Sequence, residues 1–120
     1  MAMKHLLLIL PLVCSTPVWA EEACPAAPDY TAEKNALYAD LRVARDATEA
    51  QILSQDLWRI WLEAPDPKAQ QMLDDGIGLN TRGFHNDAAI TFSALIAYCP
   101  DYAEGYNQRA YAAFLNQDFE

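Results

Sequence analysis

From Thr31 onward, apolar residues recur at three- and four-residue intervals, with Ala36, Leu37, Leu41 and Ala44 falling on one side of a helical projection. This is the spacing that an amphipathic α-helix turns toward a core. Asp46 followed by Glu49 has the form of a capping box and starts a second helix at about Ala47. That helix carries Ala50, Leu53, Leu57, Ile60 and Trp61 on one side, with Trp58 and Leu62 widening the stripe. A stripe so wide predicts burial against more than one neighbour, and aromatic residues at helical spacing read as core rather than as a ligand pocket.

Pro65 and Pro67 end the second helix, because proline lacks the N–H that the next turn requires. Asp66 before Pro67 is a good cap and first-turn pair, so a third helix is expected from about Pro67 to Thr81. Gly83 stands where a helix closes on a left-handed residue, and Asn86 or Asp87 can cap a fourth helix ending before Pro100. Asp101 then caps a fifth, from Tyr102 to about Asn116. With short links and no alternating strand pattern, the chain reads as all-α, built of antiparallel helical hairpins stacked as a short solenoid.

The residues before Thr31 follow a different rule. Lys4, the apolar run Leu6 to Val13 and the closing Val18-Trp19-Ala20 have the form of a signal peptide over 1–20, with cleavage before Glu21. The run is interrupted by Pro11 and is too short for the ~20 residues of a membrane-spanning helix. Val13 is a poor neighbour for lipidation at Cys14. Residues 21–30 contain Pro25 and Pro28 without apolar periodicity and read as an extended leader.

Loss of residues 1–20 leaves 100 of the 120 residues, with 7 bases against 17 acids and a net charge of −10. A chain of that size holds one domain with a modest core. Its charge repels phosphate backbones and anionic membranes and suits a basic or neutral protein partner, so no nucleic acid and no lasting membrane anchor are expected. Cys24 and Cys99 are the cysteines that remain. In an exported protein they pair most simply as one disulfide; the alternative is two separate thiols, with Cys99 packed as a small hydrophobe.

The middle of the chain carries a further pattern. The tetratricopeptide signature runs Trp-x2-Leu-Gly-x2-Tyr, then Ala-x3-Phe, then Pro, at a period of about 34 residues. Here its spacing is met by Met72, Asp75-Gly76, Leu79, Ala88, Phe92 and Pro100. Gly76, Ala88, Phe92 and Pro100 match by identity, Met72 and Leu79 by apolar class, and Asp75 departs. One period later stand Tyr106, Arg109-Ala110 and Ala113, with Phe119 following. The small residues Gly76, Ala88 and Ala110 are those that allow helices to approach closely. One period earlier, Tyr38, Leu41 and Trp58 fit, but Arg42 and Ser54 stand where small residues belong.

The stretch from Leu53 to Phe119, including Tyr98-Cys99-Pro100-Asp101-Tyr102-Ala103-Glu104-Gly105-Tyr106-Asn107-Gln108-Arg109-Ala110, resembles exported tetratricopeptide-repeat proteins of Gram-negative, particularly alphaproteobacterial, origin. The resemblance divides the chain into a degenerate repeat or helical cap over 31–64, a repeat over 65–101, and the first helix of an incomplete repeat over 102–120. It implies a periplasmic, protein-binding scaffold whose first helices line a groove for a peptide or protein. Register places Gln70, Leu73, Ile77, Asn80 and Thr81 in that groove, followed by Glu104, Asn107, Tyr111, Phe114 and Leu115. The set lacks the Lys and Arg clamp with which some family members hold a terminal carboxylate. The alternative is an accessory or structural subunit of an envelope assembly whose groove stays empty.

Two expectations come from the repeat register. Asp75 and Arg109 occupy equivalent positions and should form an inter-repeat ion pair. The fifth helix should leave an apolar stripe open to self-association or to a partner.

No chemistry-bearing constellation accompanies the pattern. His85 reads as a solvated turn residue, and Ser93 lies within a helix, which leaves a hydrolase built on either as a remote reading. Asp74 and Asp75 point about 100 degrees apart on a helix and cannot pinch one ion as a pair. Gly76-Ile77-Gly78 has no strand before it and no Lys-Ser after it, unlike a phosphate loop. Neither an enzyme, a metal site nor a cofactor is expected.

Overall fold

A computed structural model describes residues 23–117, and the segment assigned to a signal peptide lies outside them. The described chain is all-helical: α1 (Thr31–Arg42), α2 (Ala47–Trp61), α3 (Pro67–Thr81), α4 (His85–Tyr98) and α5 (Ala103–Leu115). The leader from residue 23 to Tyr30 has no regular structure.

Local sequence chemistry accounts for the starts of α2 and α3 and for the end of α3. The Asp46 carboxylate accepts from the Glu49 N–H at 2.9 Å, and Asp66 accepts from Ala69 N–H at 2.7 Å with Pro67 in the first turn behind it. Each satisfies an N–H that the helix cannot pair internally. The capping box is not closed in its usual form, because the Glu49 carboxylate reaches past Asp46 to the N–H and guanidinium of Arg45. At the end of α3, Gly83 adopts φ +86°, its N–H bonding to Asn80 O at 3.1 Å and that of Phe84 to Leu79 O at 3.0 Å. That pair of bonds is a Schellman closure, which needs a left-handed residue.

Two starts differ from the expected ones. The Schellman turn delivers the chain directly into α4 at His85, so neither Asn86 nor Asp87 caps it, and Phe84 precedes the helix without a side-chain cap. Helix α5 likewise starts at Ala103 after Tyr102, without a cap from Asp101. A backbone bond from Tyr102 N–H to Cys99 O (3.1 Å) makes the turn instead.

The core belongs to α3, α4 and α5, with Leu73, Phe92, Leu95 and Ala112 fully buried at its centre. Helix α3 packs on α4, α4 on α5, and α5 also reaches α3, a repeat-like order of neighbouring helices. Gly76 and Ala88 are buried where the register puts them, whereas Ala110 is exposed. An unassigned glycine, Gly105, provides the close approach of α5 to α4: a β-carbon there would meet Ile96 at 3.2 Å.

The first hairpin is built differently. Helix α2 packs along α1, makes no comparable contact with α3–α5, and buries only Leu57 and Ile60. Its wide apolar stripe is therefore not enclosed by several neighbours. Trp58 is 47% exposed, and Trp58 and Trp61 meet edge to face with centroids 5.2 Å apart. The reason lies in α1, which buries no residue and offers too little apolar surface to cover the stripe.

Few links join the two halves. Tyr102 donates its hydroxyl to Trp61 O at 2.9 Å, and Ala64 N–H donates to Gln70 Oε1 at 2.9 Å. Cys24 of the leader lies at disulfide-bonding distance from Cys99 at the end of α4, with Cα atoms 5.2 Å apart. The ion pair expected between Asp75 and Arg109 is not formed. Asp75 is exposed, and the Arg109 guanidinium lies 5.8 Å from the Tyr106 ring centroid, with one nitrogen 3.4 Å from Ser93 Oγ.

Candidate functional site: the groove residues and the hairpin junction

The residues assigned to a groove fall into three environments. Leu73 is fully buried in the core and offers no surface to a ligand. Asn80 is also buried, its Oδ1 2.7 Å from His85 Nδ1. That contact corrects the reading of His85 as a free turn residue: it opens α4 and is half-buried against α3. Gln70, Ile77 and Leu115 are half-buried; Gln70 accepts from Ala64 and donates to Asp74 Oδ1 at 3.0 Å, while Ile77 packs on the core. Thr81, Asn107, Tyr111 and Phe114 are exposed. The Thr81 hydroxyl turns back to Ile77 O, so the aromatic surface comes from Tyr111 and Phe114.

Glu104 has a different setting. It is only 7% exposed, and its carboxylate accepts from Asn107 Nδ2 (3.1 and 3.2 Å) and from Gln108 Nε2 (2.7 Å). It lines a cleft of about 200 Å³ at the junction of the hairpins, together with Tyr30, Lys34, Trp61, Glu63, Asp101 and Tyr102. These come from the end of the leader, the first turn of α1, the end of α2, and the link between α4 and α5. Burial pushes the Tyr102 hydroxyl well above the usual tyrosine range, with the carboxylates of Glu104, Asp74 and Glu63 adding to it. It therefore remains a donor to Trp61 O. The Glu63 carboxylate beside the Tyr30 hydroxyl raises that group too.

Among the described residues, no three His, Cys, Asp or Glu side chains come together as a metal site, and no helix is long and apolar enough to cross a membrane. The Ser93 hydroxyl donates to Ala89 O within its own helix, two turns from His85.

Only Glu104 of this cleft was assigned to a site from the sequence. Tyr30, Trp61, Glu63, Asp101 and Tyr102 stand in separate segments, Tyr30 and Tyr102 being 72 residues apart, and no local spacing links them. Compared with known proteins, the chain matches no family model, no curated protein and no solved structure. The tetratricopeptide likeness accordingly rests on residue spacing alone, while the packing of the helices shows a repeat-like all-α arrangement.

Proposed function

We propose that the chain is a protein-binding scaffold of the tetratricopeptide type, exported to the cell envelope and acting by contact rather than by catalysis. The observation that carries this reading is the aromatic surface of α5: Tyr106, Tyr111 and Phe114 are exposed, Phe114 at 62%. Large aromatic residues held on a rigid helix are what protein interfaces use as anchors, since they supply area at small conformational cost. The close pairing of Cys24 and Cys99 supports an oxidising compartment.

The experiment places a photo-crosslinking amino acid at Tyr111, Phe114 or, as a control, exposed Gln55 of α2, in the full chain expressed in a Gram-negative host. Adducts to the same protein from the two α5 positions, recovered from the periplasm and absent at Gln55, are expected. No adduct from α5, or equal adducts from all three positions, contradicts the reading.

A further inference from the structure

Buried charges in proteins are ordinarily neutralised by a charge of opposite sign, since hydrogen bonds alone leave the charge in place. Glu104 breaks that pattern. Its oxygens take three N–H···O contacts, all from the neutral amides of Asn107 and Gln108. The ion pairs formed among the described residues are Arg45 with Glu49 and Arg59 with Glu33, so no cation sits on Glu104. Its place in the first turn of α5 favours a carboxylate, but a helix end supplies only about half an elementary charge.

Glu104 also lines a cleft whose charged residues are predominantly acidic. Glu63 and Asp101 are exposed at the cleft, and Lys34 is the single cation in its wall, leaving the lining two charges negative. The aromatic residues Tyr30, Trp61 and Tyr102 complete the lining, and rings beside a cation attract it through their negative faces. At about 200 Å³ the space is below the ~300–1,000 Å³ of pockets for drug-sized ligands, and suits the head of one side chain. An anion would be repelled, and a neutral group would leave Glu104 uncompensated.

We propose that this cleft receives the protonated side chain of a lysine or arginine presented by a partner protein, with Glu104 as its counter-ion. The inference rests on the scaffold reading and adds the chemistry recognised. A formal net charge of −9 over the whole chain steers a basic partner toward the surface.

The test is a titration of the intact, oxidised protein, followed by backbone amide and Trp61 indole shifts. The probes are acetyl-Gly-Lys-Gly-amide, the same peptide with norleucine for lysine, and free n-butylammonium. The lysine peptide should shift Trp61 and residues 102–105, and bind more tightly than n-butylammonium. Its affinity should fall about tenfold or more in Glu104→Gln, and several-fold in the rim variant Glu63→Gln, whose exposed position leaves folding intact. Equal binding of the norleucine peptide, unchanged affinity in both variants, or shifts confined to other surfaces overturn the proposal. Equal affinity for n-butylammonium overturns the role of a partner, because the cleft then takes free amines. Crosslinks from α5 with a silent titration refute the cleft alone, whereas a responsive cleft without crosslinks refutes the scaffold reading.

Discussion

The ring of Phe92 occupies the space that a side chain at position 76 would need: a β-carbon on Gly76 would come within 2.8 Å of Phe92 Cδ1. Both residues are buried, and together they set how closely α3 and α4 approach. In an open helix, Gly→Ala stabilises by about 1 kcal/mol. At position 76 the sign should reverse, since the ring cannot yield without disturbing a close-packed core. Phe92→Ala should cost about 3–5 kcal/mol, and in that background Gly76→Ala should become stabilising. Denaturant unfolding of the four proteins measures the cycle; a Gly76→Ala effect of the same sign in both backgrounds refutes the packing argument.

Cys24 and Cys99 are 75 residues apart in sequence, and the loop they close contains α1, α2, α3 and α4. In the chain-entropy account, such a loop contributes about 4 kcal/mol. Because α2 packs on α1 and makes no comparable contact with the other helices, Cys24→Ser should loosen one half selectively. Amide exchange should rise most in α1 and α2, with α4 the best protected. Two free thiols in the mass of the exported protein, or a uniform rise along the chain, contradict this.

Acid should weaken the start of α3. The Ala69 N–H and then the Tyr98 hydroxyl hold the Asp66 carboxyl below its ordinary value, with Lys68 adding its charge nearby. A depressed folded-state value means that the cap's contribution is complete above the unfolded-state pKa of about 3.9 and disappears as pH falls through the folded-state value. Asp66→Asn can still cap but does not titrate. Stability measured between about pH 6 and 2 should therefore fall less steeply in this variant than in the parent. Parallel curves would remove Asp66 as the cause.

Arg109 should be coupled to Tyr106 rather than to Asp75. The guanidinium and ring are placed for a cation–π contact, while no ion pair joins Arg109 to Asp75. Double-mutant cycles should give about 0.5–1 kcal/mol for Arg109 with Tyr106 and none for Arg109 with Asp75. Coupling only in the acid–base pair would reverse the assignment.

Local chemistry was legible in the sequence. Asp46, Asp66-Pro67 and Gly83 mark helix ends through bonds completed within a few residues, so the five helices and their order follow from the chain alone. The spacing of Gly76, Ala88 and Phe92 also identified a close helix pair, because a small residue facing a ring has a direct steric meaning. The starts of α4 and α5 were less legible: backbone turn bonds replaced the side-chain caps expected from Asn86 or Asp87 and from Asp101.

Tertiary structure alone decided which apolar and charged residues would be covered. Trp58 and Phe92 both sit on helical apolar stripes, yet Phe92 meets the gap at Gly76 and is buried, whereas Trp58 faces no helix able to cover it. Periodicity marks the face of a helix but contains no information about what lies opposite. Glu104 follows the same logic, since its burial and its neighbours Tyr30 and Trp61 arise only when the leader and α2 reach the start of α5. Burial and electrostatic environment are properties of surfaces brought together in space, and no single segment carries them.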